Sequence, residues 1–121
     1  MPPPQDRSAE FQVLYLTTKG RATGRPREIE IWFVAMAGKL YVLAEHFHRA
    51  QWVKNIARDS RVRVRLGTRE FDAAARALDP ERDAEEWGTA QRLAREKYGG
   101  GEGLPVRITP DEPLEGDGDR G

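Results

Sequence analysis

Six runs along the 121-residue chain read as strands, and several of them alternate apolar and polar positions with a period of two, the pattern of half-buried strands. Residues 11–16 place Phe11, Val13 and Tyr15 on one face, and residues 27–35 do the same for Ile29, Ile31 and Phe33. A short turn at Ala37, Gly38 and Lys39 leads into a third strand at 40–44. Residues 61–66 give the cleanest alternation, Arg61, Arg63 and Arg65 against Val62, Val64 and Leu66. The tight turn Gly67-Thr68 joins them to a hairpin partner at 69–78. A last strand at 104–108 contains Pro105, which suits a sheet edge. Two stretches have helical spacing instead. Residues 50–58 would bury Trp52, Val53 and Ile56. Residues 79–98 begin with Asp79 as N-cap and Pro80, repeat Trp87, Ala90, Ala94 and Tyr98, and stop at Gly99, Gly100, Gly101 and Gly103.

Strands joined by hairpin-length connections, with two helices, predict an antiparallel α+β fold. A small barrel would remove the sheet edges and create a mouth. Alternation alone equally allows an open sheet covered by helices. The folded domain is expected over residues 10–110. Residues 1–9 are proline-rich and polar, and are expected to be loose. Residues 111–121 carry Leu114 as their one aliphatic side chain and are expected to be disordered and dispensable for folding.

Composition narrows the function. With 38% hydrophobic and 33% charged residues the chain suits one soluble domain with a modest core. The formal net charge is zero, yet the tail 111–121 has five acids and one arginine, which leaves residues 1–110 at +4. That excess suits a small anionic ligand and is too weak to argue for nucleic acid. There is no cysteine, hence no disulfide, thiolate or Cys-type metal site. No apolar run reaches membrane-spanning length and no export signal is visible, so a cytoplasmic location is expected.

The chemistry concentrates between the first two strands. Thr17 and Thr18 lead into Gly20, Arg21, Gly24, Arg25, Pro26 and Arg27. Guanidinium forks match phosphate oxygens, and glycines let main-chain N–H groups approach an anion. The same residues also suit a solvated basic hairpin loop, and the threonines suit strand ends. Ala44, Glu45 and His46 precede the short helix, where Trp52 offers a flat apolar wall and Lys54 and Asn55 offer donors; ordinary core packing is the other reading of Trp52. His46 and His48 with Glu45 are too few for a convincing metal set, and none is expected. The Arg61, Arg63 and Arg65 stripe lacks interleaved aromatics and reads as cross-strand pairing with Glu70 and Asp72. No nucleophile elbow, Walker loop or Glu-x-x-His pair is present, which fits chemistry borne by a cofactor.

The run from Thr17 to Arg27 resembles the signature of the deazaflavin (F-420)-dependent nitroreductase and quinone reductase family. Ile29 to Phe33, Leu43 to His46, Gln51 to Asn55, Val62 to Gly67 and Gly103 to Val106 match in order, over roughly residues 11–110. The resemblance implies a split β-barrel of the pyridoxamine-phosphate-oxidase-like, FMN-binding type, and related barrels often pair as homodimers. It implies coenzyme F-420, or FMN as the alternative, with a small-molecule electron acceptor: a quinone, a nitroaromatic or an activated alkene. A non-catalytic carrier of a flavin or other amphipathic anion would share the same pocket. Thr17, Thr18, Gly20, Arg21, Gly24, Arg25, Pro26 and Arg27 would hold the phosphate end. Ala44, Glu45, Trp52, Lys54 and Asn55 would meet the ring and its ribityl portion. Trp32, His46 and Tyr98 would face the acceptor, with Tyr98 and the following glycines as a mobile cover. Ala22 stands where many relatives carry a lysine, which removes one charge.

Overall fold

A computed structural model describes residues 11–113; the expected loose segment 1–9 and the tail beyond Pro113 lie outside the described residues. The elements are β1 (Val13–Lys19), β2 (Pro26–Met36), β3 (Lys39–Ala44), α1 (Gln51–Arg58), β4 (Arg61–Leu66), β5 (Arg69–Ala77), α2 (Ala84–Tyr98) and β6 (Leu104–Pro110). The strands close into a barrel in the order β1-β2-β3-β6-β5-β4, every neighbour antiparallel. β6 is therefore not the edge strand that its prolines suggested. Pro105 and Pro110 stand at its second and last positions, so the ladder can run through the residues between them.

Leu14, Leu16, Phe33, Val42, Val64, Val106 and Ile108 fill the interior and are essentially inaccessible. On β1 the buried face is thus Leu14 and Leu16, with Val13 and Tyr15 half-buried outside. α1 closes one end of the barrel with Val53 and Ile56. α2 lies outside it, and the small side chains Ala90 and Ala94 pack with Val34, Tyr41 and Leu78. A half-buried carboxylate fixes that helix. Glu86 accepts the Tyr41 hydroxyl and two Arg107 contacts of 2.8 and 3.0 Å. α2 begins at Ala84 rather than at Pro80, because Asp79 spends its carboxylate on the N–H groups of Glu81 and Arg82 and so caps a separate turn.

β2 changes partner partway along. Its 11 residues pair with β1 over Pro26–Trp32, which is seven, and with β3 over Phe33–Met36, which is four, with no overlap. β3 meanwhile stays paired with β6 out to Ala44↔Leu104. The sheet therefore opens between residues 29–32 on one lip and Leu43 and Ala44 on the other. At the seam the Tyr98 hydroxyl takes the place of a strand: it accepts the Phe33 N–H at 3.2 Å and lies 2.5 Å from Phe33 O and 2.6 Å from Gln12 O. Lys97 adds Nζ contacts of 2.7 Å to Phe11 O and 3.2 Å to Phe33 O. Main-chain groups of a strand alternate between its two neighbours. Since those of Phe33 face the β1 side, those of Trp32 and Glu30 face the opening.

Two of the glycines after α2, Gly101 and Gly103, are tightly packed. A Cβ on Gly101 would stand 2.3 Å from Gln91 O, and one on Gly103 would stand 2.9 Å from Ala44 O. Gln91 Nε2 also donates to Gly103 O at 2.9 Å. Gly101 and Gly103 thus make a tight crossing against α2 and β3, while Gly99 and Gly100 have open space around them.

Gly101→Ala should therefore cost about 1–3 kcal/mol through overpacking. Gly100→Ala, with open space around the new methyl, should stay within about 0.5 kcal/mol of the parent. Denaturant titration of both variants checks this, and equal stability would contradict the packing argument. A second expectation concerns acid. Burial alone would raise the Glu86 carboxyl, but the hydrogen bonds from Tyr41 and Arg107 outweigh it and hold the group below its ordinary range. A depressed folded value stabilises above the unfolded value and is lost as pH falls through the folded one. Glu86→Gln should be less stable than the parent at pH 7, and the difference should shrink steadily below about pH 4. A gap independent of pH would count against the carboxylate as the anchor.

Candidate functional site

The opening between the lips forms a groove of about 890 Å³. Ile29, Glu30, Ile31, Trp32 and Phe33 line one side; Leu43, Ala44, Glu45, His46 and Phe47 line the other, and Tyr98 and the glycine run lie at its outer end. Trp32 is 57% exposed and stacks on Tyr98 with ring centroids 4.6 Å apart and planes 13° from parallel. For Tyr98 the sequence allows a hydroxyl facing a substrate or a cap on the core; here that group is committed to the main chain of Phe33 and Gln12, and the ring is presented to Trp32. It is a positioning residue. Burial raises its hydroxyl pKa, with the Phe33 main-chain bond opposing, so the group stays protonated.

Sequence reading passed over Phe47. Its backbone holds a left-handed φ of 54°, and its ring is 40% exposed on the groove's far lip. A non-glycine residue held in this region is uncommon and concentrates at functional sites. The available signal was an aromatic between two histidines, His46 and His48.

A second recess, about 660 Å³, lies over the basic loop and includes Gly20, Arg21, Ala22, Pro26 and Arg27 with Gln51 and Asn55 of α1. The two cavities share Ile29 and Trp52 as a common wall. Trp52 packs partly on the core and also lines both cavities. The loop closes on itself through Gly20 N–H to Arg25 O (2.8 Å) and Gly24 N–H to Gly20 O (2.7 Å), with Gly24 at φ 75°.

Asn55 organises this end. It is 4% exposed, donates to Thr18 Oγ1 at 3.0 Å, and accepts from the Arg21 main-chain N–H at 3.2 Å and Arg21 Nη1 at 3.0 Å. Gln51 Oε1 takes Arg21 Nη2 at 2.7 Å. Asn55 thus ties Thr18 to the loop, and Arg21 is fixed from behind. Arg27 is exposed and lines the recess, and its guanidinium has no partner among the described residues.

Gly20, Arg21, Pro26, Arg27, Trp52 and Asn55 come together in the recess; Ala44, Glu45, His46, Trp32 and Tyr98 come together in the groove. Thr17, Thr18, Gly24, Arg25 and Lys54 line neither cavity. The arginine stripe is paired across strands, Arg63 with Asp72 at 2.8 Å and with Glu70 at 3.4 Å. Arg61 instead meets Asp111 at 2.5 Å, so the start of the tail is tied to the barrel, whereas loss of order was expected from residue 111. Among the described residues no three His, Cys, Asp or Glu side chains converge as a metal set, and no helix is long and apolar enough to cross a membrane.

Asn55→Ala should cost about 1–3 kcal/mol, because it strands the buried Thr18 hydroxyl and the Arg21 N–H. Arg21→Ala, which removes an exposed head, should cost about 0.5–1.5 kcal/mol. Denaturation curves for the two variants decide this; the reverse ranking would show that Asn55 is not the anchor.

Comparison with known proteins places this geometry. The fold matches HutZ, the heme storage protein from Vibrio cholerae, with a TM-score of 0.69 at 22% identity over 87% of this chain and 85% of that one. It also matches a Listeria innocua protein named for pyridoxamine 5′-phosphate oxidase, with a TM-score of 0.63 at 16% identity over 87% and 88%. These fix the architecture as a split β-barrel. An F420-H2 dependent reductase matches with a TM-score of 0.62 at 25% identity over 85% of this chain and 94% of that one. The family model described as F420H(2)-dependent quinone reductase covers residues 6–111. With its six-stranded barrel, basic loop and split groove, the chain belongs to the F420H(2)-dependent quinone reductase family, a family of oxidoreductases.

Proposed function

We propose that this protein binds reduced coenzyme F-420 across the recess and groove and catalyses reduction of a quinone, with nitroaromatics and activated alkenes as further acceptors. The observation that carries the reading is the unpartnered Arg27 guanidinium in a recess that shares a wall with a larger, mostly apolar groove. A phosphorylated tricyclic coenzyme needs that combination: a cation for its phosphate and an apolar slot for its rings. Arg27 would take the phosphate oxygens. Arg21, steadied by Asn55 and Gln51, would stand beside it with its direction already set. Trp52 and Ile29 would flank the passage to the groove. The open edge of β2 at Trp32 and Glu30 supplies main-chain groups for the polar rim of the rings.

When bound, the reduced coenzyme supplies a hydride; with a proton from solvent, this takes a quinone to its hydroquinone. No side chain needs to form a covalent bond. The protein's part is to bind, to orient and to exclude water. Phe33, Ile31 and Trp52 supply the apolar walls. Glu45 and His46, on the far lip, are the titratable groups placed to exchange a proton with an acceptor.

Fluorescence titration tests the reading. Arg27→Ala should weaken F-420 binding about ten- to hundredfold, the loss of charge-assisted hydrogen bonds worth roughly 1.5–3 kcal/mol. Lys54→Ala, outside both cavities, should leave it unchanged. Tight FMN binding with no F-420 binding would overturn the coenzyme assignment. Coenzyme binding that only protects it from oxidation by every acceptor class would point to a carrier.

A further inference from the structure

The groove and the recess differ in charge. The recess holds Arg21 and Arg27 against one acid, Glu28. Among the described residues the groove holds Glu30, Glu45 and Glu102, with His46 as its one basic residue, and no lysine or arginine lines it. None of the three carboxylates has a side-chain partner among the described residues. Lys97, which contacts the groove residue Phe33, is turned to the carbonyl oxygens of Phe11 and Phe33 and lies over the Phe33 ring at 4.4 Å.

The exposed aromatics sit in this acidic half. Trp32 stands on one lip, backed by Tyr98, and Phe47 stands on the other. Both remain exposed although apolar, at 57% and 40%. A supported, exposed indole offers a flat face to a planar ring, and that face is negative in its quadrupole. Three carboxylates at the same mouth raise the cost of bringing in an anion and lower that of a cation.

From this division we infer that the outer part of the groove, between Trp32 and Phe47, is the acceptor subsite, and that it selects by charge. It takes uncharged or cationic planar aromatic acceptors and discriminates against anionic ones. Trp32 is the stacking platform, and Glu30, Glu45 and Glu102 are the specificity residues. The inference rests on the proposed reductase reading, because it assigns the recess to the coenzyme and leaves this half for the acceptor. The logic is electrostatic sorting. A negatively charged coenzyme tail is drawn to the cationic end, and anions of similar size are kept from the catalytic end.

Three naphthoquinones of matched ring size test it: menadione, a sulfonated analogue, and one bearing a quaternary ammonium. Calorimetry gives the dissociation constant of each oxidised quinone with protein carrying oxidised F-420. Steady-state oxidation of the reduced coenzyme gives KM for each. At low salt the sulfonate should bind about tenfold more weakly than menadione, as three unit charges acting through solvent would produce. The ammonium analogue should bind at least as tightly as menadione. The sulfonate penalty should shrink at high salt. It should also largely vanish in the Glu30→Gln, Glu45→Gln, Glu102→Gln triple variant. Trp32→Ala should weaken all three quinones while leaving their order intact. Equal binding of sulfonate and menadione in the parent would overturn the inference, as would a penalty that survives in the triple variant or no quinone binding at all. If the quinones bind in the expected order but the reduced coenzyme is not oxidised, the reductase reading fails and the charge-selective aromatic site stands.

Discussion

Everything in this protein follows from β2 having to serve two neighbours in succession. A strand paired on both sides for its whole length would make a sealed barrel with a dry core and no mouth. Here the pairing passes from β1 to β3 between Trp32 and Phe33. Polar main-chain groups on both sides of that step would be orphaned without some compensation. On the β1 side the compensation is a side chain. The Tyr98 hydroxyl meets the N–H and C=O of Phe33 and reaches Gln12 O, with the Lys97 ammonium alongside. On the β3 side the groups of Trp32 and Glu30 are left facing a groove. One side of the seam is thus closed by the end of α2, and the other is available to a ligand.

That arrangement ties stability to function through α2. The Glu86 anchor to Tyr41 and Arg107 seats the helix on β3 and β6, and this sets where Lys97 and Tyr98 arrive. Burial lowers the Lys97 pKa, so the ammonium is held at some desolvation cost. Its contacts with two carbonyls and the Phe33 ring offset that cost. Tyr98 in turn backs Trp32, which lets a 57% exposed indole keep one orientation. The helix C-terminus therefore holds the platform, and the tight crossing at Gly101 holds the chain beyond it.

Local patterns carried much of this and failed at identifiable points. Alternation marked β2 and β4, short apolar runs between turn signals marked strands such as the largely buried β3, and helical spacing marked α1 and α2. The loop chemistry was legible because glycine and arginine types are set by what the loop does. Which arginine is free was not legible, since Asn55 and Gln51 reach Arg21 from α1, 34 and 30 residues away in sequence. Barrel closure was hidden for the same reason. The pairing of β6 with both β3 and β5 is a long-range fact, and its prolines argued locally for an edge. The glycine run was not legible for a different reason. Composition cannot distinguish a glycine needed for motion from one needed because Gln91 O leaves no room for a methyl.

The two halves of the cleft need opposite things from the same strand, and β2 supplies both through its sidedness. Arg27, Ile29, Ile31 and Phe33 share one face, so that face runs from a free cation through two half-buried isoleucines to a buried phenylalanine. Glu28, Glu30 and Trp32 share the other, which runs from a carboxylate paired with Arg65 to an unpaired one and then to an exposed indole. A period of two fixes both sequences at once, because any slip by one residue would exchange the faces. It would then set Trp32 in the core and Arg27 outside the recess. The register that closes the barrel is therefore the same register that separates the anion-binding end of the cleft from the aromatic, acidic end. Selection for a stable β1–β2 ladder then also holds the two ends of the cleft in place relative to each other.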